Sequence, residues 1–153
     1  HIGVKQYPDY FGRLYGKLRP GGRLLNHCIT RPENRTAAKA EPFIDRYVFP
    51  DGELTGSGRI IMAMQDTGFD IRHAENLREH YGMTLRDWCG NLERQWSACV
   101  ADVGEGTAKV WGLYMAACRL GFERNTIQLF QVLGVKPDDD GNSAVPLRPW
   151  WTG

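Results

Sequence analysis

The chain has 153 residues, 42% of them apolar and 24% charged, with a formal net charge of +1. That is enough for one domain with its own core, while near-neutral charge offers no basic footprint for nucleic acid. No window approaches the roughly 18 apolar residues of a membrane span.

The N-terminus, HIGVKQYPDY, has no apolar signal region and no initiating Met, which predicts that the chain begins inside a longer protein. From Tyr7 the residues Tyr10 or Phe11, Leu14 and Leu18 recur at helical spacing. Pro8 stands early, where a missing N–H is harmless, and Pro20-Gly21-Gly22 ends the helix. RLLNHCIT, residues 23–30, then reads as a strand, yet it carries Asn26, His27 and Cys28 where more Val or Ile would serve a core. Buried imidazoles are mostly hydrogen-bonded core groups, so the local pattern leaves His27 open between packing and function.

RPENRTAAKAEP is polar and reads as a loop exposing Arg31, Arg35 and Lys39. FIDRYVFPDGEL holds a short aromatic helix or extended piece closed by a Pro-Asp-Gly turn. Ser57 is placed to cap a helix running to about Thr67, where Gly68 stops it. FDIRHAENL alternates as a strand. Two long helices follow, over 84–102 with the stripe Leu85, Trp88, Leu92, Trp96 and Cys99 or Val100, and over 107–121 with Val110, Tyr114 and Cys118.

NTIQLFQVLGVK is apolar on both faces, which places it mid-sheet with both sides covered. The tail, 138–153, is rich in Pro, Asp and Gly and reads as irregular, with Trp150 and Trp151 expected to pack back on the body in preference to touching a lipid interface. The order is that of an α/β chain. It contains no GxGxxG turn, and Gly16, Gly21 and Gly22 precede a strand, the wrong side for phosphate or adenosine. Cys28, Cys89, Cys99 and Cys118 have no zinc spacing and point to a reducing, cytoplasmic setting.

Taken together, HIG, YPDYFGRLYGKLRPGGRLLNHCIT, FIDRYVFPDGEL, GFDIRHAENLREHYGMTLRDW and YMAACRLGFERNTIQLFQVLGVKP resemble the cyclopropane-fatty-acyl-phospholipid synthases. Those enzymes, with the mycolic acid cyclopropane synthases, are S-adenosylmethionine-dependent methyltransferases acting on lipid double bonds. The resemblance runs unbroken over residues 1–137. It implies the C-terminal half of a Rossmann-like class I methyltransferase fold: about three strands, the last antiparallel and central, with a helical cap over the acyl chain. The S-adenosylmethionine site would precede HIG, so the chain alone would lack it and be inactive. The first strand would lack its inner neighbour, and an open edge invites pairing with the missing N-terminal half or with another copy.

The resemblance also implies roles. Family members hold a bicarbonate as base through a Glu, a His, the backbone of an Ile two residues on, and a Tyr. His27 and Ile29 match the H-x-I pair and Tyr81 matches the Tyr of HY, while the Glu would immediately precede His1. Cys118 matches a Cys considered as a nucleophile, with Arg119 and Arg124 nearby, although methyl transfer to carbon gives a thiol no step. The implied reaction moves a methyl group from S-adenosylmethionine to an unsaturated fatty acyl lipid, with bicarbonate deprotonating the carbocation as a cyclopropane closes. Peripheral membrane contact would accompany such a substrate.

Three departures stand out: Asn26 for an apolar residue, Cys28 for a hydroxyl residue, and LTGSGR without the family's Pro after GEL. Other readings are a non-catalytic lipid-binding remnant or partner subunit, and a relative making methyl-branched lipid or methylating a small amine. The apolar helix faces favour a lipid. His73 and His80 read as surface or cap residues.

Overall fold

The computed structural model describes residues 2–34, the backbone of 38–39, and 41–148. A 3-10 turn, Val4–Gln6, leads into helix α1 (Tyr7–Lys17), which carries Pro8 in its first turn. The chain reverses into strand β1 (Arg23–Thr30). That reversal is pinned from the far end of the chain: Lys136 Nζ donates to the carbonyls of Tyr15 at 3.2 Å and Leu18 at 3.0 Å, and lies 4.6 Å from the Tyr15 ring centre. Carbonyls left over at a helix end are thereby satisfied by a cation.

The polar stretch after β1 is not wholly a loop. Strand β2 (Ala38–Lys39) pairs antiparallel with β3 (Glu53–Leu54), flanking the short helix α2 (Pro42–Tyr47). Arg35 and the side chain of Lys39 lie outside the described residues. Arg31 is no free loop residue, because its N–H donates to the Thr55 carbonyl at 2.9 Å and it bridges to Gly56.

Helix α3 (Ser57–Thr67) starts differently from expectation. Gly56, not Ser57, holds the cap position, and no side chain of that residue caps it. Asn34 does the work from the loop after β1: its Oδ1 accepts from the Arg59 N–H at 3.3 Å. A Cβ at Gly56 or Gly58 would collide with the Asn34 carboxamide, so these two glycines admit a cap from a distant loop. Gly68, at φ 110°, ends α3 in the left-handed region as expected.

Strand β4 (Asp70–Asn76) follows, then α4 (Arg78–Arg94), α5 (Trp96–Val103), α6 (Glu105–Glu123) and β5 (Gln128–Val135). The single helix expected over 84–102 is therefore two, interrupted at Gln95, where φ and ψ are −112° and 23°. No Gly or Pro marks that break, and an apolar stripe that continues through it hides it. His73 sits beside a bulge in β4, opposite Leu133 and half-buried, rather than on the surface; His80 is exposed on α4.

Sheet order is β1-β5-β4, with β5 antiparallel to both neighbours, as the resemblance implied. Alternate residues of β5 feed two cores. Phe130 and Val132 pack with Phe11, Ile60, Met64 and Phe69 under α1 and α3; Ile127 and Leu129 pack with Leu85 and Phe122 under α4 and α6. This double burial is why the strand shows no polar alternation. No helix or strand occurs in 136–148, and Trp150 and Trp151 lie outside the described residues. Among those described, no helix is long and apolar enough to cross a membrane.

Candidate functional site

His27 and Ile29 lie two apart on β1, so their side chains leave the same face of the sheet. In register opposite His27 stands Gln131, and opposite Gln131 stands Glu75, so the three form one row across the strands. The Gln131 amide Nε2 lies 3.2 Å from His27 Nδ1. With the amide nitrogen as donor, Nδ1 accepts, which leaves Nε2 as the ring's donor nitrogen. Exposed on the uncovered part of the face, His27 can donate that N–H to an anion.

Ile29, Tyr81 and Cys118 surround one apolar cluster, Leu85, Phe122 and Leu129. Tyr81 is held there by backbone ties at the start of α4. The Leu77 N–H donates to the Leu129 carbonyl at 2.8 Å, and the Tyr81 N–H to the Leu77 carbonyl at 3.0 Å. One turn earlier, Arg78 Nη1 donates to the carbonyls of Phe122 at 2.6 Å and Glu123 at 3.1 Å, clamping the start of α4 to the end of α6. The Tyr81 ring meets Phe122 edge-on at 4.9 Å between centres and Trp88 at 6.1 Å. Phe49 and Trp111 pack on Tyr114 at 5.8 and 5.6 Å. The cap wall is therefore aromatic.

Cys118 is set up as a thiol. Burial pushes its ionisation up, and its hydrogen bond with the Tyr114 hydroxyl only partly offsets that. Its sequence neighbour Arg119 turns to Glu123, Nε to Oε1 at 2.7 Å, and gives it no electropositive setting. Cys28 faces the opposite core, where burial pushes it up to about 11 against an opposing hydrogen bond from Asn26. The two departures seen in β1 thus meet in one half-buried polar contact, Asn26 Nδ2 donating to Cys28 Sγ at 3.3 Å. All four cysteines are free.

Sequence reading missed Gln131, Glu75, Arg78 and the aromatic partners of Tyr81. Only Gln131 left a signal, as one polar residue inside the otherwise apolar LFQVL; the others depend on register and on helix packing.

The profile of the mycolic acid cyclopropane synthetase family matches residues 1–132. A probable fatty acid methyltransferase of Mycobacterium tuberculosis is 64% identical over 151 residues, 99% of this chain and 35% of that protein. A probable fatty acid methyltransferase of Pseudomonas putida is 40% identical over 99% of this chain and 38% of its own length. The cyclopropane-fatty-acyl-phospholipid synthase of Escherichia coli is 29% identical over 92% of this chain and 36% of its own. Among solved structures, a cyclopropane synthase from Mycobacterium tuberculosis superposes with a TM-score of 0.77 at 24% identity. A mycolic acid cyclopropane synthase complexed with SAH and CTAB gives 0.78 at 23%. Each covers 88% of this chain and 51% of the other, and these two likenesses are of fold. The chain spans about a third of the length of these curated relatives.

Proposed function

The chain belongs to the mycolic acid cyclopropane synthetase family, and from that premise we propose that it is the acyl-binding, base-holding part of a methyltransferase. The enzyme would move a methyl group from S-adenosylmethionine to the double bond of an unsaturated fatty acyl lipid. One observation carries the reading: the polar row led by His27 shares a face with Ile29, which packs with Tyr81 against an aromatic-walled cluster.

Nothing in this chain provides a Gly-rich βα turn, so its residues do not fit the nucleoside cofactor, and that site belongs to a complementary portion lying along the free edge of β1. Donors of the kind bicarbonate takes are at hand: His27 offers Nε2–H and Tyr81 a hydroxyl, and Ile29 would add its backbone, as the resemblance implies. When bound, S-adenosylmethionine supplies the methyl group and bicarbonate the base.

The chain's own residues then do three things. Gln131 holds His27 in the tautomer that donates from Nε2. The Tyr81 ring, braced by Phe122 and Trp88, offers an electron-rich face to positive charge developing on the acyl chain. The α4–α6 cap keeps the reacting carbons dry, which a weakly nucleophilic alkene requires. A cytoplasmic enzyme touching the membrane surface fits this substrate. Relatives named as fatty acid methyltransferases and as a cyclopropane-fatty-acyl-phospholipid synthase support both the lipid and the carbon target.

Incubating the protein that carries this chain with methyl-labelled S-adenosylmethionine and oleoyl phospholipid vesicles is the test. Label in the acyl chain is expected, and the product mass separates ring from methyl branch. Label in a small amine, with none in lipid, overturns the reading.

A further inference from the structure

Tyr81 reaches the site from the first turn of α4, and that turn is tied down on three sides. At the end of β4, Asn76 Oδ1 accepts from the Arg78 N–H at 3.1 Å, and on β5 the Leu129 carbonyl accepts from the Leu77 N–H at 2.8 Å. The third tie is a side chain. Arg78 Nη1 donates to the carbonyls of Phe122 at 2.6 Å and Glu123 at 3.1 Å, while Nη2 pairs with Glu79. Both carbonyls belong to the last turn of α6, where helix acceptors are left over and the dipole is negative, so a cation is stabilised there.

Two details set this arginine apart. Arg72, Arg86 and Arg119 spend their guanidinium groups on carboxylates, and Arg23 and Arg59 reach one main-chain carbonyl each; Arg78 alone among the described arginines grips two. One of those two belongs to Phe122, a fully buried residue whose ring braces Tyr81 edge-on at 4.9 Å. Phe122 is thus held at its backbone by Arg78 and at its ring by Tyr81, three residues further along the same helix. Residues three apart on a helix are neighbours, so the path from Arg78 through Phe122 to Tyr81 closes on itself. Sliding α6 along α4 would break the grip and carry away the support of the Tyr81 ring.

We propose that Arg78 is a positioning residue for methyl transfer. Its grip on the end of α6 fixes Phe122, and through Phe122 it holds the Tyr81 ring and hydroxyl where the substrate cation develops. The catalytic consequence rests on the methyltransferase reading; the mechanical link between Arg78 and Tyr81 does not.

Arg78 lines an open groove between α4 and α6 beside Gly82 and Arg119, and its side chain is 20% exposed, so a small cation in solution can enter the space that truncation leaves. In the protein that carries this chain, Arg78→Ala should lower kcat on oleoyl phospholipid vesicles about tenfold to hundredfold, the scale of a misplaced reacting geometry, with KM within about twofold. Millimolar guanidinium should restore kcat, and urea, of the same shape but uncharged, should not. With fluorotyrosine placed at 81 or at 15, the resonance at 81 should move in the variant while that at 15, in the other core, stays. Arg78→Gln keeps the stem and one uncharged donor, and decides by kcat and the resonance at 81 if Arg78→Ala does not fold. An unchanged kcat, a loss that guanidinium cannot restore, or a resonance at 81 left in place overturns the proposal. A moving resonance in a protein whose wild type leaves lipid unmethylated would sink the methyltransferase reading alone. Lipid methylation indifferent to Arg78 would sink this one alone.

Discussion

The two faces of the β1-β5-β4 sheet are finished to different degrees. Against α1 and α3, Phe11, Ile60, Met64, Phe69 and Val132 are at most 4% exposed. On the other face, Leu85, Phe122 and Leu129 are closed off where α4 and α6 pack beside the C-terminal end of β1, and Val135 is buried at the far end of β5. Further back along β1, Leu25 is 53% exposed and His27 is exposed as well. Apolar burial is the main favourable term in folding, so the closed face carries stability while the open face carries the reactive groups. Alternate residues of β1 serve one side each: Leu24 and Cys28 pack into the closed core, His27 and Ile29 line the site.

The largest effect expected from this contrast is on the closed side. Phe11→Ala should cost about 3–5 kcal/mol in urea unfolding; an equal cost for Leu25→Ala would erase the distinction. On the open side, His27→Ala should lower lipid methylation by the complete enzyme about hundredfold with the unfolding midpoint unchanged, as for loss of a key hydrogen-bond donor. If the midpoint falls with the activity, His27 belongs to the core.

Alkaline titration separates the faces again. Cys28, on the closed side, ordinarily ionises at 9.0 and is held up to about 11 by burial. The folded state therefore keeps its proton where the unfolded state has lost it. Stability from this group is intact below pH 9 and drains as pH rises to 11, by about 1.4 kcal/mol per pH unit. Cys28→Ala should flatten that stretch of the stability curve, and a slope that survives would assign it elsewhere.

Smaller effects sharpen the picture. Gln131→Ala should reduce methylation about tenfold, the scale of one hydrogen bond, and shift the His27 ring signals toward mixed tautomers. Unaltered ring signals would show that Gln131 does not orient the imidazole. Least of all, Leu25→Ser should change stability by no more than about 0.5 kcal/mol, and a larger loss would mean that something already covers the open face.

Much of this was legible in the sequence where the signal is local. RLLNHCIT is the strand it reads as, Gly68 stops α3, and the both-faced apolarity of residues 127–135 placed β5 in the middle. The errors share a cause. Ser57 looked like a cap because it has the right side chain, but Asn34, 25 residues before Arg59, reached the helix first. The break at Gln95 is invisible to periodicity because the apolar stripe resumes on the same side. Arg31 read as a solvated loop residue because a parallel bridge to Gly56 leaves no trace in either segment.

By itself, then, the sequence determined the kind and approximate extent of most elements, together with the residue types available for chemistry, because backbone propensity and apolar period act over a few residues. Only the tertiary structure decided that Gln131 faces His27 across 104 residues, that Tyr81 rests on Phe122, and that the Arg31 N–H meets the Thr55 carbonyl. Strand register and helix docking are set by which distant apolar faces bury one another, and no local stretch contains that information.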